Sequence, residues 1–437
     1  MHWLLIGYMF LFIHRPFEVW PLLGDLRVER LYMAATLIAW GVTAGKRWLP
    51  NPQHAAYAGF AAAVLGAWVM SPWMERSQPV VEDYFKIVVF YGLLVTTVSD
   101  EKALKKVVAG FVAVMGVYLL HSLKEYQAGR HTYRMGISRM IGVDTTLGDP
   151  NSFGASIVFA LPFVACLGRA GVGGRAGRGL LAGYAGLSVL CILLTGSRSS
   201  LLGLIAWGLI LVLGSRRRWR YLAAAAVAAP LAFVALPESL QTRFETIIDS
   251  DVGPANAKES GEGRIHGLLM GLDLWQKNPV SGVGPGAWRP ATRQEIESHN
   301  LYGQLAGELG TAGVVAFGCV VGAFVANIRR VSAVRARHPE WAGDLVFQVA
   351  SAVAVGLFLL LFMGNFGHNL FRFSWLWYGG FLVIARHCVE VREEAHEEEV
   401  ADDDEWEDEA GDEPPAGWTG HAGHARPGVG VLSELGP

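Results

Sequence analysis

The sequence predicts an all-α fold, a polytopic bundle of transmembrane helices. Two observations carry this. Of 437 residues, 52% are hydrophobic and 17% are charged, with a mean hydropathy of +0.32, whereas soluble proteins carry about 25% charged residues. The apolar residues also fall in blocks of bilayer length, separated by short charged segments, as far as about residue 386. The alternative of two or three soluble domains, which length alone allows, is excluded by that arrangement.

A spanning helix needs about 20 residues. Twelve blocks qualify as predicted spans, near 1–13, 31–45, 54–71, 80–98, 104–121, 151–168, 180–195, 199–214, 220–236, 301–328, 344–363 and 371–387. The first has no small-residue cleavage site and runs into Arg15-Pro16, so it reads as a retained anchor. With the N-terminus inside, every second loop is basic: Lys46 and Arg47, Lys102 to Lys106, Arg169 to Arg178, Arg216 to Arg220, and Arg329 to Arg337. The positive-inside rule assigns those loops to the cytoplasm. Two outward loops are then exceptional. One follows span 5 and carries Arg130, Arg134 and Arg139; the other, about 237–300, is the only large loop before the tail.

The net charge of −3 conceals an asymmetry: residues 389–437 carry −14, leaving +11 for the rest. A segment so acidic and so poor in aliphatic residues cannot bury a core. The organisation expected is therefore a transmembrane domain over 1–388 and a disordered cytoplasmic tail over 389–437. The four cysteines, Cys166, Cys191, Cys319 and Cys388, form no CxxC pair and lie near no histidine at ligand spacing, which argues against structural zinc and a disulfide framework. No cofactor is called for.

Within the long loop, Ile265, Leu268, Leu269, Leu272 and Trp275 recur at helical spacing, and Asn278-Pro279 ends the pattern. Gly282, Gly284 and Gly286 follow around Pro285. They succeed a helix rather than a strand and lack the third-glycine spacing, so they form a turn and no dinucleotide fingerprint.

The polar residues at the outward ends require explanation. Arg198, between Ser197 and Ser199, is either a snorkelling side chain or an anion ligand. Arg264 is read as opening the amphipathic loop helix, where a cation is unfavourable on dipole grounds unless an anion meets it; an ion pair with Glu259 or Glu262 is the plainer alternative. His299 lies where the long loop re-enters the membrane, and histidine is the side chain suited to proton transfer near neutral pH. A cap or interfacial anchor is its ordinary role. Glu308, two turns further on, could pair with a buried cation or orient the site. Asp149, Pro150 and Asn151 have the pattern of a helix cap before span 6. His368, Asn369 and Arg372 sit at the outward end of the last hairpin. Together these give several arginines beside His299, with His368 at the last hairpin, and no metal cluster or acidic dyad. Guanidinium forks match phosphate oxygens better than ammonium groups do, so a lipid-linked diphosphate suits the pattern.

The order Asp149-Pro150-Asn151, Gly196-Ser197-Arg198-Ser199, Gly263-Arg264 with Trp275 and Asn278-Pro279, Gly282-Val283-Gly284-Pro285-Gly286, and Ser298-His299-Asn300 with Glu308-Leu309-Gly310 resembles the O-antigen ligase and polymerase superfamily (WaaL- and Wzy-like proteins). The resemblance is strongest over 145–325. The opening segment, with Arg15-Pro16-Phe17, is similar to the O-glycosylation ligases of exosortase-associated systems. This resemblance implies a GT-C-like glycosyltransferase of the bacterial inner membrane. Such an enzyme takes a glycan from undecaprenyl diphosphate on the periplasmic side and passes it to an acceptor hydroxyl of lipid A core, protein or polysaccharide, without metal or nucleotide. It implies a functional histidine at His299, diphosphate contacts at Arg198 and Arg264, and a less certain one at Arg139. Asp149, Asn151, Asn300 and Glu308 would support them. A polysaccharide polymerase is close in chemistry. A flippase for a lipid-linked saccharide is the alternative of a different class, and the absence of evident internal repeats weighs against it. No nucleic-acid partner is expected.

Overall fold

The computed structural model describes residues 1–134, 137–146, 148–247 and 256–410, without the side chains of 134, 256–262 and 402–410. The chain begins with α1 (His2–His14), the short α2 (Pro16–Val19) and α3 (Pro21–Asp25), α4 (Val28–Val42), α5 (Gln53–Val69), α6 (Met74–Thr97) and α7 (Glu101–Gln127). A hairpin of β1 (His131–Arg134) and β2 (Ile137–Met140) follows. Then come α8 (Pro150–Arg169), α9 (Gly174–Thr195), α10 (Arg198–Leu213), α11 (Arg218–Val234), α12 (Glu238–Glu245), α13 (Asn256–Lys277), α14 (Trp288–Thr292), α15 (Leu301–Arg337), α16 (Leu345–Gly364) and α17 (Ser374–Ala410).

Each of the twelve apolar blocks coincides with a helix. Five helices, α7, α8, α9, α15 and α16, are long and apolar enough to cross a membrane, and α10 is a shorter apolar one. The protein is thus a membrane-type helical bundle. Its core is aromatic: Phe111, Phe163, Trp377, Tyr378 and Phe381 are buried and meet at centroid distances of 4.6–6.4 Å.

Three expectations need correction. The fold is not purely α. The β hairpin pairs Thr132 with Arg139 in antiparallel register, and Thr132, Tyr133 and Ile137 favour extended backbone. Second, α13 begins at Asn256, so Arg264 lies in its third turn and the helix-dipole argument does not apply to it. Third, α17 continues to Ala410, through the acidic segment read as disordered from Val389. Glu and Ala are strong helix formers, and no Gly or Pro intervenes before Gly411. The rest of the tail, 411–437, lies outside the described residues. The chain divides into two compact units, Met1–Glu390 and Val391–Pro437.

Helix α15 is broken near its start. Gly310 takes φ 62°, ψ −160°, a left-handed conformation that glycine adopts without steric cost. Backbone groups near the break are met by the loop after α13. Thr311 N donates to Pro279 O at 2.8 Å and Ala312 N to Val280 O at 3.1 Å. Val283 N and Gly284 N donate to Gly307 O and Glu308 O, both at 2.9 Å. Backbone groups freed by a helix break are satisfied by protein in this way. The glycine turn is therefore a clasp on the broken helix.

Candidate functional site

One end of the bundle gathers helix termini: the ends of α9 and α16 and the starts of α8, α10, α15 and α17. Residues at or beside these termini line a cavity of about 340 Å³ or a pocket of about 30 Å³ beside it. The larger cavity is bordered by Arg139, Arg198, Arg243, Arg264, Glu297 and His299. The smaller shares Asn151, His299 and Phe366 with it and adds Asp149, His368 and Arg372.

Local structure explains each placement. Gly196, in the left-handed region at φ 55°, ends α9, and the Ser197 side chain caps α10 by accepting from Ser200 N. This tight turn puts Arg198 on the first turn of α10. Helix α12 closes over the turn: Arg243 Nε donates to Gly196 O at 2.6 Å, and Arg198 Nη1 donates to Thr246 Oγ1 at 3.0 Å. Arg139 is delivered by β2 and is only 3% exposed. Its Nε donates to Thr195 O at 2.7 Å and its Nη2 to Asn151 Oδ1 at 3.0 Å.

Arg264 and His299 meet through helix packing. Gly267 and Gly271 on α13 face Gly303 and Gly307 on α15, and a β-carbon on Gly303 would fall 2.5 Å from Gly267 O. Small residues four apart let helix backbones approach this closely. The packing sets α13 against the start of α15, where Asn300 Oδ1 accepts from Tyr302 N and Gly303 N, both at 3.0 Å. Asn300 is thus the cap, and His299 is the residue before it, bordering both pockets. The Arg264 guanidinium stands 5.2 Å from the Phe366 ring centroid. Burial, and secondarily the charge of Arg198, push the Arg264 pKa down to about 10. Glu297, the carboxylate on the wall, has its pKa raised by burial, which outweighs the opposing effect of Arg289 at 2.8 Å.

The remaining candidates have other duties. Asp149 caps α8, accepting from Asn151 N at 3.0 Å and Ser152 N at 3.2 Å. Glu308 is fully buried and does not line the cationic cavity. In place of a cation it meets backbone and amide donors: its Oε2 accepts from Gly286 N at 2.9 Å and from Gln304 Nε2 at 3.3 Å, tying the glycine clasp to α15. Arg372 Nη2 donates to Ser156 Oγ at 2.8 Å and Ser152 O at 3.0 Å. That bond holds the α16–α17 loop against α8 and brings His368 to 5.4 Å, centroid to centroid, from His299. His368 keeps surface towards the pockets yet is ringed by protein. That loss of bulk water, then the proximity of His299, lowers its pKa well below the ordinary imidazole value. The Arg134 side chain and the side chains of Glu259 and Glu262 lie outside the described residues.

Arg243 and Glu297 escaped the sequence reading. The apolar pair Leu240 and Phe244, four apart and buried with Ile137, could have flagged α12 as a packed helix with Arg243 on it. Glu297 had no periodic or motif signal.

Among the described residues, four arginines stand on the wall of the cavity. Burial beside another guanidinium disfavours the charged form, and the lowered Arg264 pKa expresses that cost. Fold and site together define a membrane-type helical protein with an arginine-lined cavity at one end of the bundle, beside an imidazole. Residues 183–318 match the family model described as O-Antigen ligase. The match agrees with the resemblance carried by the motifs and supports a membrane function of the ligase or polymerase type. No curated protein matches the chain. The matched segment holds Arg198, Arg243, Arg264, Glu297 and His299; Arg139, Asn151, His368 and Arg372 lie outside it.

Proposed function

We propose that the protein is a glycosyltransferase that moves a glycan from undecaprenyl diphosphate to an acceptor hydroxyl. The observation that carries the reading is the convergence of Arg139, Arg198, Arg243 and Arg264 with His299 around one cavity. His299 is the general base. It takes the proton as the acceptor oxygen attacks the anomeric carbon of the donor sugar. The bond from that carbon to the diphosphate oxygen breaks, and the diphosphate leaves with the electron pair. Arg198 and Arg264 bind the diphosphate and stabilise the charge that develops on it, which is commonly the larger catalytic term. Arg139, already committed to Thr195 and Asn151, acts chiefly by fixing the wall between β2, α8 and α9.

The reaction takes place on the periplasmic face of the bacterial inner membrane. Support for this orientation comes from the loops at the other end of the bundle, between α8 and α9, between α10 and α11, and after α15. They carry the arginines that the positive-inside rule assigns to the cytoplasm.

The test is glycan transfer in membranes. His299→Ala, inserted at the wild-type level, is expected to lose about 10²–10⁴-fold in rate, as for removal of a positioned base; near-normal transfer removes the role. Arg198→Lys and Arg264→Lys should weaken donor binding because the planar fork is lost. Unchanged donor affinity in both would end the diphosphate assignment.

A further inference from the structure

The proposed function leaves the acceptor without a place. A second chamber of about 440 Å³ lies beside the cationic cavity, and the two share Glu297. His368 and Arg372 border this chamber and also the small pocket that His299 borders. The His299–His368 ring pair therefore stands in the partition between the two spaces.

The chemistry of the chamber differs from that of the cavity. Among the described residues, the cavity sets four arginines against Glu297. The chamber sets Arg15 and Arg372 against Asp83 and Glu297, so its formal charges balance, and its other walls include the rings of Phe12, Tyr84, Phe371 and Phe373. Two wall residues carry a buried polar atom without a hydrogen-bond partner among the described residues, the Tyr84 hydroxyl and Gln304 Oε1. Native structures leave few such atoms, and each calls for an explanation. Both atoms are closed to solvent, so a ligand meets them only when the side chains turn towards the chamber. Balanced charge and aromatic faces suit a neutral ligand rich in hydroxyls. A second diphosphate would find no excess of cations here.

We propose that this chamber binds the acceptor, that the acceptor presents a neutral sugar there, and that its hydroxyl reaches His299 past His368. The inference rests on the glycosyltransferase reading. It adds that acceptor choice is set largely outside the family-matching segment, since Arg15, Asp83, Tyr84, His368 and Arg372 all lie beyond 183–318.

The experiment uses the full-length protein in its own cells, with a benzophenone side chain placed at Phe371 on the chamber or at Phe366 on the cationic cavity. After illumination, mass spectrometry reads what each position has captured. The Phe371 probe is expected to capture a carbohydrate and the Phe366 probe a polyprenyl diphosphate. A lipid tail or sugar-free peptide at Phe371, or no adduct there, with the donor still captured at Phe366, overturns the acceptor chamber and leaves the enzyme reading standing. Loss of donor capture at Phe366 counts instead against the enzyme reading. The second arm is Tyr84→Phe, which removes a hydroxyl that has no partner to lose. The apparent KM for the captured sugar acceptor should rise about tenfold while donor KM stays within about twofold. An unchanged acceptor KM, or a parallel rise in both, overturns the proposal.

Discussion

Gly271 of α13 and Gly303 of α15 pack backbone against backbone, with no space for a side chain: a β-carbon on Gly271 would fall 2.5 Å from the Gly303 α-carbon. This contact, more than any polar bond, brings Arg264 and His299 to one cavity, because it sets the separation of the two helices that present them. Gly271→Val should force the helices apart. Overpacking of this kind costs about 1–3 kcal/mol, so the melting temperature in detergent is expected to fall and glycan transfer to be lost. Gly263→Ala is the control. A β-carbon there meets nothing within 4 Å, and stability should hold or rise slightly, since alanine is the better helix former. Equal melting temperatures for Gly271→Val and wild type would contradict this account.

Arg139 ties three elements together, and its removal should be felt first in stability. Arg139→Ala leaves the buried Thr195 carbonyl without its donor, a loss of about 1–3 kcal/mol. Asn151→Ala should cost less, because it removes one arm of the same guanidinium. The two losses should not add in the double variant, as expected for residues in one network. Thermal unfolding of the four proteins in detergent measures this directly, and strict additivity would show that Arg139 and Asn151 act independently.

The sequence made the apolar blocks legible because bilayer-length hydrophobicity is a local property; all twelve are helices. It placed the end of α13 correctly, since Asn278-Pro279 is a local stop signal and the helix ends at Lys277. The start of α13 lies eight residues ahead of Arg264, because the apolar pattern opens only at Ile265 and the helix runs through Gly261 and Gly263 before it. The break at Gly310 was not seen. A glycine inside an apolar run is silent in sequence, and what breaks the helix is a clasp arriving from 279–284. Glu308 was expected near a cation for a related reason: charge suggests an ion pair, but the nearest donors are an amide N–H of the glycine turn and a glutamine side chain. The i, i+4 pair Leu240 and Phe244 marks α12 as a packed helix, but the meeting of Arg243 with Gly196, like the second chamber, depends on contacts between segments far apart in the chain, and no periodicity encodes those.

Arg264 should weaken the empty protein and strengthen the loaded one. Its native pKa is lowered to about 10 by burial and by Arg198, so the folded state holds that proton less tightly than the unfolded chain does. The sign follows: below about pH 10 the buried charge lowers stability, and stability recovers as pH rises from there towards the unfolded value. Arg264→Met is therefore expected to melt at or above the wild-type temperature at pH 7 without ligand. Inorganic diphosphate should raise the melting temperature of wild type and much less that of the variant. If diphosphate stabilised both equally, the anion would be binding elsewhere.

Among the described residues, Glu297 is the negative group on the wall of the arginine-lined cavity, and removing its charge should tighten anion binding. Burial raises its native pKa even with Arg289 beside it. For an acid raised in this way, the stabilising contribution is complete below the unfolded pKa of about 4.5 and is lost as pH rises through the native value. Glu297→Gln should then melt like wild type near pH 4 and higher than wild type at pH 7. The forfeited ion pair matters little, because Arg289 is 57% exposed at its side chain and exposed pairs contribute about 0–1 kcal/mol. At pH 7 the variant should bind inorganic diphosphate about three- to tenfold more tightly, by isothermal titration in detergent, because one opposing charge has gone. Transfer need not improve. Glu297 borders both the cavity and the chamber, so tighter hold on the departing diphosphate should appear as slower product release, with kcat falling while donor KM falls with it. Weaker diphosphate binding by the variant would mean that Glu297 orders the arginines rather than opposing the anion.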